Sequence, residues 1–245
     1  YEVLGAMPAF ALIVVLVAGA SVLAVKQNAP ALAVLGFIGG YLAPVLLSTG
    51  SGNHVALFSY YAVLNAAVFA IAWKRPWRAL NLVGFVFTFV IGAAWGAKYY
   101  QPEKFATVEP FLVLFFLFFV AIPVLYALAG RQKNGKVDGT LLFGTPLLAF
   151  PMQVGLLGDD RFGLAASAVF VAAVFAGLAL WAQRRQRLRD LAQSAAGMGV
   201  VFATLAIPLA LTARWTSAAW AVQGAAMVWL GLRQGRRLVR WTGLV

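Results

Sequence analysis

The stretch FGLAASAVFVAAVFAGLALWAQRRQRLR (162–189) decides the architecture of this chain. Its first 22 residues carry no charge, and four of the six that follow are arginines. A bilayer core of about 30 Å is crossed by about 20 helical residues that rise 1.5 Å each. The stretch therefore predicts a transmembrane helix that ends in a basic cluster at the membrane surface.

Apolar runs of the same length and character follow one another along the chain. They lie at 5–25, 30–48, 55–73, 79–97, 110–129, 139–157, 162–182, 194–212 and 216–232. The run at 30–48 contains three glycines and Pro44, so a re-entrant segment is the alternative to a full span there. The predicted fold class is all-α: a polytopic transmembrane helix bundle of about nine helices, with residues 1–245 forming a single transmembrane domain.

Composition supports a membrane location and excludes several kinds of site. Of the 245 residues, 63% are hydrophobic and only 11% are charged, whereas soluble domains carry about 25% charged residues. There is no cysteine, which excludes disulfides and thiolate chemistry and leaves the redox compartment undetermined. With one histidine, a metal site built from a histidine cluster is also excluded. We predict no metal, no cofactor and no catalytic residue.

The charged residues between the runs alternate in number from one connection to the next. The connections after the first, third, fifth, seventh and ninth runs contain 15 of the 19 basic residues. These are Lys26, Lys74, Arg75, Arg78, Arg131, Lys133, Lys136, Arg184, Arg185, Arg187, Arg189, Arg233, Arg236, Arg237 and Arg240. Because basic residues remain on the cytoplasmic side, the alternation predicts an N-terminus outside and a C-terminus inside.

The net charge of +12 has two interpretations. A basic protein of this kind can bind nucleic acid, but here the charge is divided among alternate connections. Positive residues that fix the topology lie against anionic lipid headgroups. We therefore expect membrane lipids as partners, with anionic headgroups at the cytoplasmic basic loops, and no nucleic acid.

Four pairs of runs resemble one another and predict hairpin repeats at 30–78, 79–136, 139–189 and 194–240. In three of them the outward helix has a proline in its outer half: GGYLAPVLL (39–47), FGTPLLAFP (143–151) and FATLAIPLAL (202–211). Such bends, stacked at one depth, could shape a cavity in the outer half of the membrane. The alternative is that prolines are simply common in transmembrane helices.

Polar residues inside the runs are the candidates to line a cavity. They are neutral, which argues against a proton pump, because a proton relay needs titratable groups at mid-membrane. Each could instead join helices through a hydrogen bond. The cavity-lining candidates are Asn65, Asn81, Thr88, Gln153 and Gln223.

Charged and polar residues also collect in the connections on the predicted outer surface of the membrane. A catalytic site there would need separate loops to converge within hydrogen-bonding distance, and the spacing does not require it. Glu109, just before Pro110, could equally be a helix N-terminal charge. The polar candidates on this outer surface are His54, Lys98, Glu109, Asp159 and Asp160.

Two further patterns predict how helix faces are used. The small residues Gly92, Ala93, Gly96 and Ala97 stand four apart in pairs, which favours close contact between helices. The run FLVLFFLFF (111–119) carries large apolar side chains on every side, so we expect it to face lipid.

Long strings of the chain resemble a bacterial family of multi-pass membrane proteins catalogued as a domain of unknown function. They are GFIGGYLAPVLLSTGSGNHVALFSYYAVLN (36–65), WKRPWRALNLVGFVFTF (73–89), VDGTLLFGTPLLAF (137–150) and VVFATLAIPLALTARWTSAAWAVQGAAMVWLGLRQGRR (200–237). The resemblance implies a bacterial inner-membrane location. It also implies that this chain is an internal or C-terminal segment of a longer protein, and that Gln223 occupies a position often held by glutamate.

Three hypotheses for function remain. The first is a transport or permeation module for a small or amphipathic solute. The second is a non-catalytic membrane scaffold that organises other membrane subunits, and the third is an outer-face enzyme that modifies a lipid or glycan. An aqueous cavity lined by Asn65, Asn81 or Gln223 would favour transport, and a solid bundle would favour the scaffold.

Overall fold

The computed structural model describes residues 6–46, 53–129 and 136–211, together with 220, 221, 224 and 225. Within these residues the chain is helical and contains no strand. Short 3₁₀ turns at Pro102–Lys104 and Gln186–Leu188 precede the fifth and eighth helices. The eight α-helices are α1 (Ala6–Gln27), α2 (Pro30–Leu46), α3 (His54–Lys74), α4 (Arg78–Tyr99), α5 (Phe105–Leu128), α6 (Lys136–Leu157), α7 (Arg161–Gln183) and α8 (Arg189–Ala210).

The helices confirm the all-α prediction and follow the first eight apolar runs closely. The largest differences are the starts of α5 and α8, which come before the apolar runs begin at 110 and 194. The ninth run at 216–232, including Gln223, lies almost wholly outside the described residues.

Six of the described helical segments are long and apolar enough to cross a membrane. They are His54–Lys74, Arg78–Tyr99, Pro102–Leu128, Gly139–Leu157, Arg161–Gln183 and Gln186–Ala210. The helix α2 is continuous but has 17 residues, which gives a length of about 25 Å against a bilayer core of about 30 Å. The re-entrant alternative for this run therefore stays open.

Local sequence explains where several helices begin and end. The side chains of Asn53 and Asp160 cap α3 and α7, accepting hydrogen bonds from the backbone N–H groups of Ala56 and Gly163. Arg75 is extended because Pro76 follows it, and this ends α3. At the end of α6, Gly158 takes a positive φ of 56°, a conformation that glycine adopts without strain.

The chain divides into two compact units, Tyr1–Gly158 and Asp159–Val245, which we call unit 1 and unit 2. In unit 1, α3 is the central helix and packs against α1, α2, α4 and α5, while α6 packs against α4 and α5. In unit 2, α7 and α8 pack along each other. The backbone of α7 comes close enough to Gly199 of α8 that a Cβ there would lie 3.4 Å from the nitrogen of Ala176.

The prediction that 111–119 faces lipid is wrong for one side of α5. Leu112, Phe115, Phe116 and Phe119 are buried, whereas Leu114 and Leu117 are exposed. The reason is that α5 lies between α3 and α6, so its inner face packs in the core of unit 1.

Candidate functional site

A cavity of about 450 Å³ lies among α3, α4, α5 and α6 of unit 1. This volume falls in the range of about 300–1,000 Å³ that is typical of small-molecule sites. Most of the lining is aromatic or aliphatic, and empty cavities with such walls remain dry. Among the lining side chains are Phe58, Trp95, Phe111, Leu112, Phe115 and Met152.

The small residues of α4 were predicted to make close contact with another helix, and this is correct at Gly92 but wrong at Gly96. A Cβ on Gly92 would lie 3.2 Å from Cε of Met152 on α6, so the helices do meet there. One turn further on, a Cβ on Gly96 would meet nothing within 4 Å, and the same holds for Gly155 on α6. The missing side chains of Gly96 and Gly155 leave space beside the cavity that they line.

The cavity reaches the surface of unit 1 between α4 and α6. Four of its lining residues are exposed, and all of them are small or compact: Ala93, Ala97, Pro151 and Gly155. Both helices are long and apolar enough to span a membrane. The residues at this opening are therefore uncharged and belong to helices of membrane-crossing length.

The cavity lies near one end of the helices that form it. Apart from Phe58 on α3, its lining residues fall within 88–97 on α4, at Tyr100 directly after α4, within 108–115 on α5 and within 151–156 on α6. These are the C-terminal part of α4, the N-terminal part of α5 and the C-terminal part of α6. The span from Thr88 to Tyr100 is about 18 Å along the helix.

Polar side chains cluster at that end of the cavity, and we call His54, Tyr100, Glu103, Lys104, Thr107 and Glu109 the rim. The ring of Trp95 connects the rim to the cavity. It lies 5.2 Å from the ring of His54, and the ammonium group of Lys104 lies 5.7 Å from its centre. This ammonium donates a hydrogen bond to the carbonyl oxygen of Tyr99.

Thr107 connects His54 to the start of α5. The Thr107 hydroxyl lies within hydrogen-bonding distance of the carbonyl oxygen of Lys104, at 2.9 Å. His54 Nε2 and Thr107 Oγ1 lie 2.7 Å apart, in a hydrogen bond whose donor depends on the tautomer of the ring.

The other side of the rim joins α4 and α5 to α6. The Tyr100 hydroxyl donates to the carbonyl oxygen of Leu156 at 2.6 Å, and the amide of Gln153 donates to a carboxylate oxygen of Glu109 at 2.7 Å. Partial burial, together with the negative charges of Glu103 and Glu109, raises the pKa of Tyr100. The phenol therefore stays neutral well into the alkaline range.

A network of neutral polar groups lies deeper in unit 1. The Asn65 side chain accepts a hydrogen bond of 2.6 Å from the Tyr41 hydroxyl and donates one of 2.9 Å to Thr88 Oγ1. These bonds link α2, α3 and α4. Gly84 makes room for them, because a Cβ there would lie 3.1 Å from the Tyr41 hydroxyl.

Asn81 makes a separate connection between α4 and α5. Its amide donates a short hydrogen bond to the hydroxyl of Tyr126, and the guanidinium of Arg78 lies 5.5 Å from the same ring. Asn81 is 1% exposed and Asn65 is 2% exposed. Neither residue lines the cavity. Both side chains form hydrogen bonds that join neighbouring helices.

The structure places the remaining predicted residues as follows. Thr88 lines the deep end of the cavity, and Gln153 is buried where α5 meets α6. Lys98 is exposed, with its ammonium 5.0 Å from the ring of Tyr99, which is not a lining residue. Asp159 and Asp160 are exposed at the start of unit 2, where Asp160 caps α7. Among the described residues, no three His, Cys, Asp or Glu side chains lie together as a metal site.

Sequence reasoning missed Trp95 and Thr107, and its candidate residues did not include Tyr100, Glu103 or Lys104. Trp95 stands among the small residues at 92, 93, 96 and 97, where a large ring next to small side chains leaves an uneven helix surface. That pattern could have indicated a cavity, although it occurs equally where a partner side chain fills the gap.

The fold and the cavity define the class of protein to which this chain belongs. Six apolar helices of membrane-crossing length among the described residues make this a membrane-embedded helical protein. Four of them, α3, α4, α5 and α6, line the apolar cavity. The chain belongs to the family described as "Predicted membrane protein (DUF2339)", whose sequence profile matches residues 1–245. No curated protein matches the chain, and no solved structure does either.

Proposed function

We propose that unit 1 is a transport or permeation module that takes an amphipathic molecule from the bilayer into the cavity between α3, α4, α5 and α6. The observation that carries this proposal is the cavity itself, which has apolar walls, a polar rim at one end and exposed small residues on its flank. An amphipathic molecule has the same division into an apolar body and a polar end.

The lining favours an amphipathic molecule over a hydrophilic one. A hydrophilic solute would lose its hydration in the cavity without gaining hydrogen bonds, which is costly. The polar groups that could have served it, Asn65 and Asn81, bond to side chains of other helices.

The proposal includes an orientation in a bacterial inner membrane. We place the nine predicted spans with the N-terminus outside and the C-terminus in the cytoplasm. In support, Lys26, Lys74 and Arg78 stand at helix ends that meet the cytoplasmic connections of this topology. The rim then lies at the outer surface.

A cavity-filling substitution tests transport. Gly96→Leu adds a side chain where a Cβ has open space, so it should fill the cavity without displacing the backbone. In proteoliposomes we expect it to lower the rate at which a fluorescent short-chain lipid crosses the bilayer by about tenfold. Gly39→Leu is the control, because Gly39 is exposed, has equally open space and does not line the cavity.

Two results would contradict transport. One is a wild-type rate equal to that of protein-free liposomes. The other is an equal rate in the Gly96→Leu and Gly39→Leu variants, with both proteins folded.

A scaffold is the second candidate, and the hydrogen-bond network favours it. The interhelical bonds of Asn65, Thr88 and Asn81 hold α2, α3, α4 and α5 together without any ligand. Such a bundle could organise partner subunits while lipid merely fills its cavity. In that case, variants with a filled cavity would still co-purify with the same partners as the wild type.

A further inference from the structure

We propose that the molecule held in the cavity is a zwitterionic phospholipid, with one acyl chain between α4 and α6, its phosphate beside Lys104 and its ammonium group near Glu103 and Glu109. This inference rests on the proposed function and names the class of molecule that the module takes. It draws on the length of the cavity, the position of its opening and the two signs of charge at the rim.

The length of the cavity suits one leaflet. Its lining covers about 18 Å along α4, and half of a bilayer core is about 15 Å. Thr88 and Phe89 line the deep end, and the rim lies at the other end. An acyl chain that enters through the flank would then lie parallel to the helices, with its headgroup at the level of the rim.

Lys104 is the cation placed to meet a phosphate. Its ammonium has three donors, and among the described residues it makes one hydrogen bond, to the carbonyl oxygen of Tyr99. It lies over Trp95, a lining residue, and is only partly exposed. A charge-assisted bond to phosphate is screened less there than at an open surface.

The carboxylates argue against a headgroup with only negative charge. Glu103 is exposed, and Glu109 is half-buried with one oxygen bonded to Gln153. Glu103 precedes Lys104 in the 3₁₀ turn Pro102–Lys104, and Glu109 directly follows Val108, a lining residue. A phosphate alone would be repelled by these two groups, whereas a phosphate followed by an ammonium group matches both signs of the rim.

Photo-crosslinking of the full chain in maltoside micelles tests the inference. The probes are phosphatidylethanolamine, phosphatidylglycerol and diacylglycerol, each with a diazirine near the end of one acyl chain. We expect phosphatidylethanolamine to label peptides of α4 and α6 about two- to fivefold more than phosphatidylglycerol, the effect of a partly exposed ion pair. Diacylglycerol should label least.

Matched variants assign the headgroup contacts. Lys104→Gln should lower labelling by both phospholipids about two- to fivefold, leave diacylglycerol unchanged and be rescued by Lys104→Arg. Lys98→Gln makes the same change of charge on an exposed side chain away from the lining and should have no effect. A Glu103→Gln, Glu109→Gln double variant should abolish the preference for ethanolamine over glycerol.

Equal labelling by the three probes, or an equal loss of all three in Lys104→Gln, would overturn the inference. The flux assay separates this outcome from failure of the proposed function. If Gly96→Leu stops flux while the headgroup makes no difference, transport stands and the zwitterionic lipid does not. If labelling depends on the headgroup but wild-type flux is absent, the cavity binds this lipid without transporting it.

Discussion

Thr88 and Thr145 are two fully buried threonines whose hydroxyl groups serve different purposes. The Thr145 hydroxyl donates to the carbonyl oxygen of Leu141 in its own helix. Thr88 instead accepts a hydrogen bond from the Asn65 amide of a neighbouring helix. Of the two bonds, only the second therefore depends on the tertiary structure.

Replacing each threonine by valine should separate the two roles. Thr88→Val leaves the buried Asn65 amide without its partner, so we expect it to lower the free energy of unfolding by about 1–2 kcal/mol. Thr145→Val has the same change of shape and removes a bond within one helix, so its effect should be smaller. Reversible unfolding in mixed micelles of sodium dodecyl sulfate measures both, and equal losses would argue against the network as a stabilising element.

The sequence singled out the neutral polar residues inside the apolar runs, but not all of their partners. Asn65, Asn81 and Thr88 stood out because polar side chains are costly in lipid. Tyr41 and Tyr126 did not, since tyrosine is common at membrane interfaces and its apolar ring hides the hydroxyl in any hydropathy pattern. Which tyrosine meets which asparagine depends on helix packing, which a single sequence does not give.

At the scale of the helix, the hydrogen bond between Glu109 of α5 and Gln153 of α6 connects two walls of the cavity. In a double-mutant cycle, Glu109→Leu and Gln153→Leu should show a coupling energy of about 0.5–2 kcal/mol in unfolding experiments. The control cycle pairs Glu103→Leu with Gln153→Leu, because Glu103 is exposed. A coupling no larger than the control would mean that this bond does not hold α5 to α6.

Hydropathy predicted the positions of the first eight helices along the chain. It did not predict where the cavity lies between them. The run that predicted α5 began at Pro110, whereas the helix begins at Phe105 and takes in FATVE (105–109) before that proline. The small residues of α4 were interpreted as a packing face. Gly92 does pack, but Gly96 faces open space, and the difference arises from what α6 places opposite each of them.

For the whole molecule, the proposed topology can be tested by labelling, because the chain contains no cysteine. Single cysteines replacing Arg187 and Arg237 should react with an impermeant maleimide only after the membrane is opened to the cytoplasmic side. A cysteine replacing Asp159 should react in intact cells. Finding positions 187 and 237 on opposite sides would contradict the threading and the outer position of the rim.

Residues 1–158 contain the whole of the cavity, its rim and the hydrogen-bond network. The single transmembrane domain and the four hairpin repeats stay predictions from the sequence. The nine spans and their direction also stay predictions, which rest on charge alternation because it reflects insertion into the membrane. It contains no information on which helices form a compact unit, since that depends on side-chain packing.

The floor of the cavity determines how far a bound molecule can travel. Phe89 lines the deep end, and its ring lies against those of Phe85 and Phe119, at 5.0 and 5.9 Å between centres. The Phe85 ring fits so closely against Gly144 of α6 that a methyl group there would lie 3.2 Å from it. These three rings pack together at the deep end, next to the part of the cavity that Phe89 lines. Complete passage would require the rings to swing aside in a second conformation, and the frequency of that gating would limit turnover.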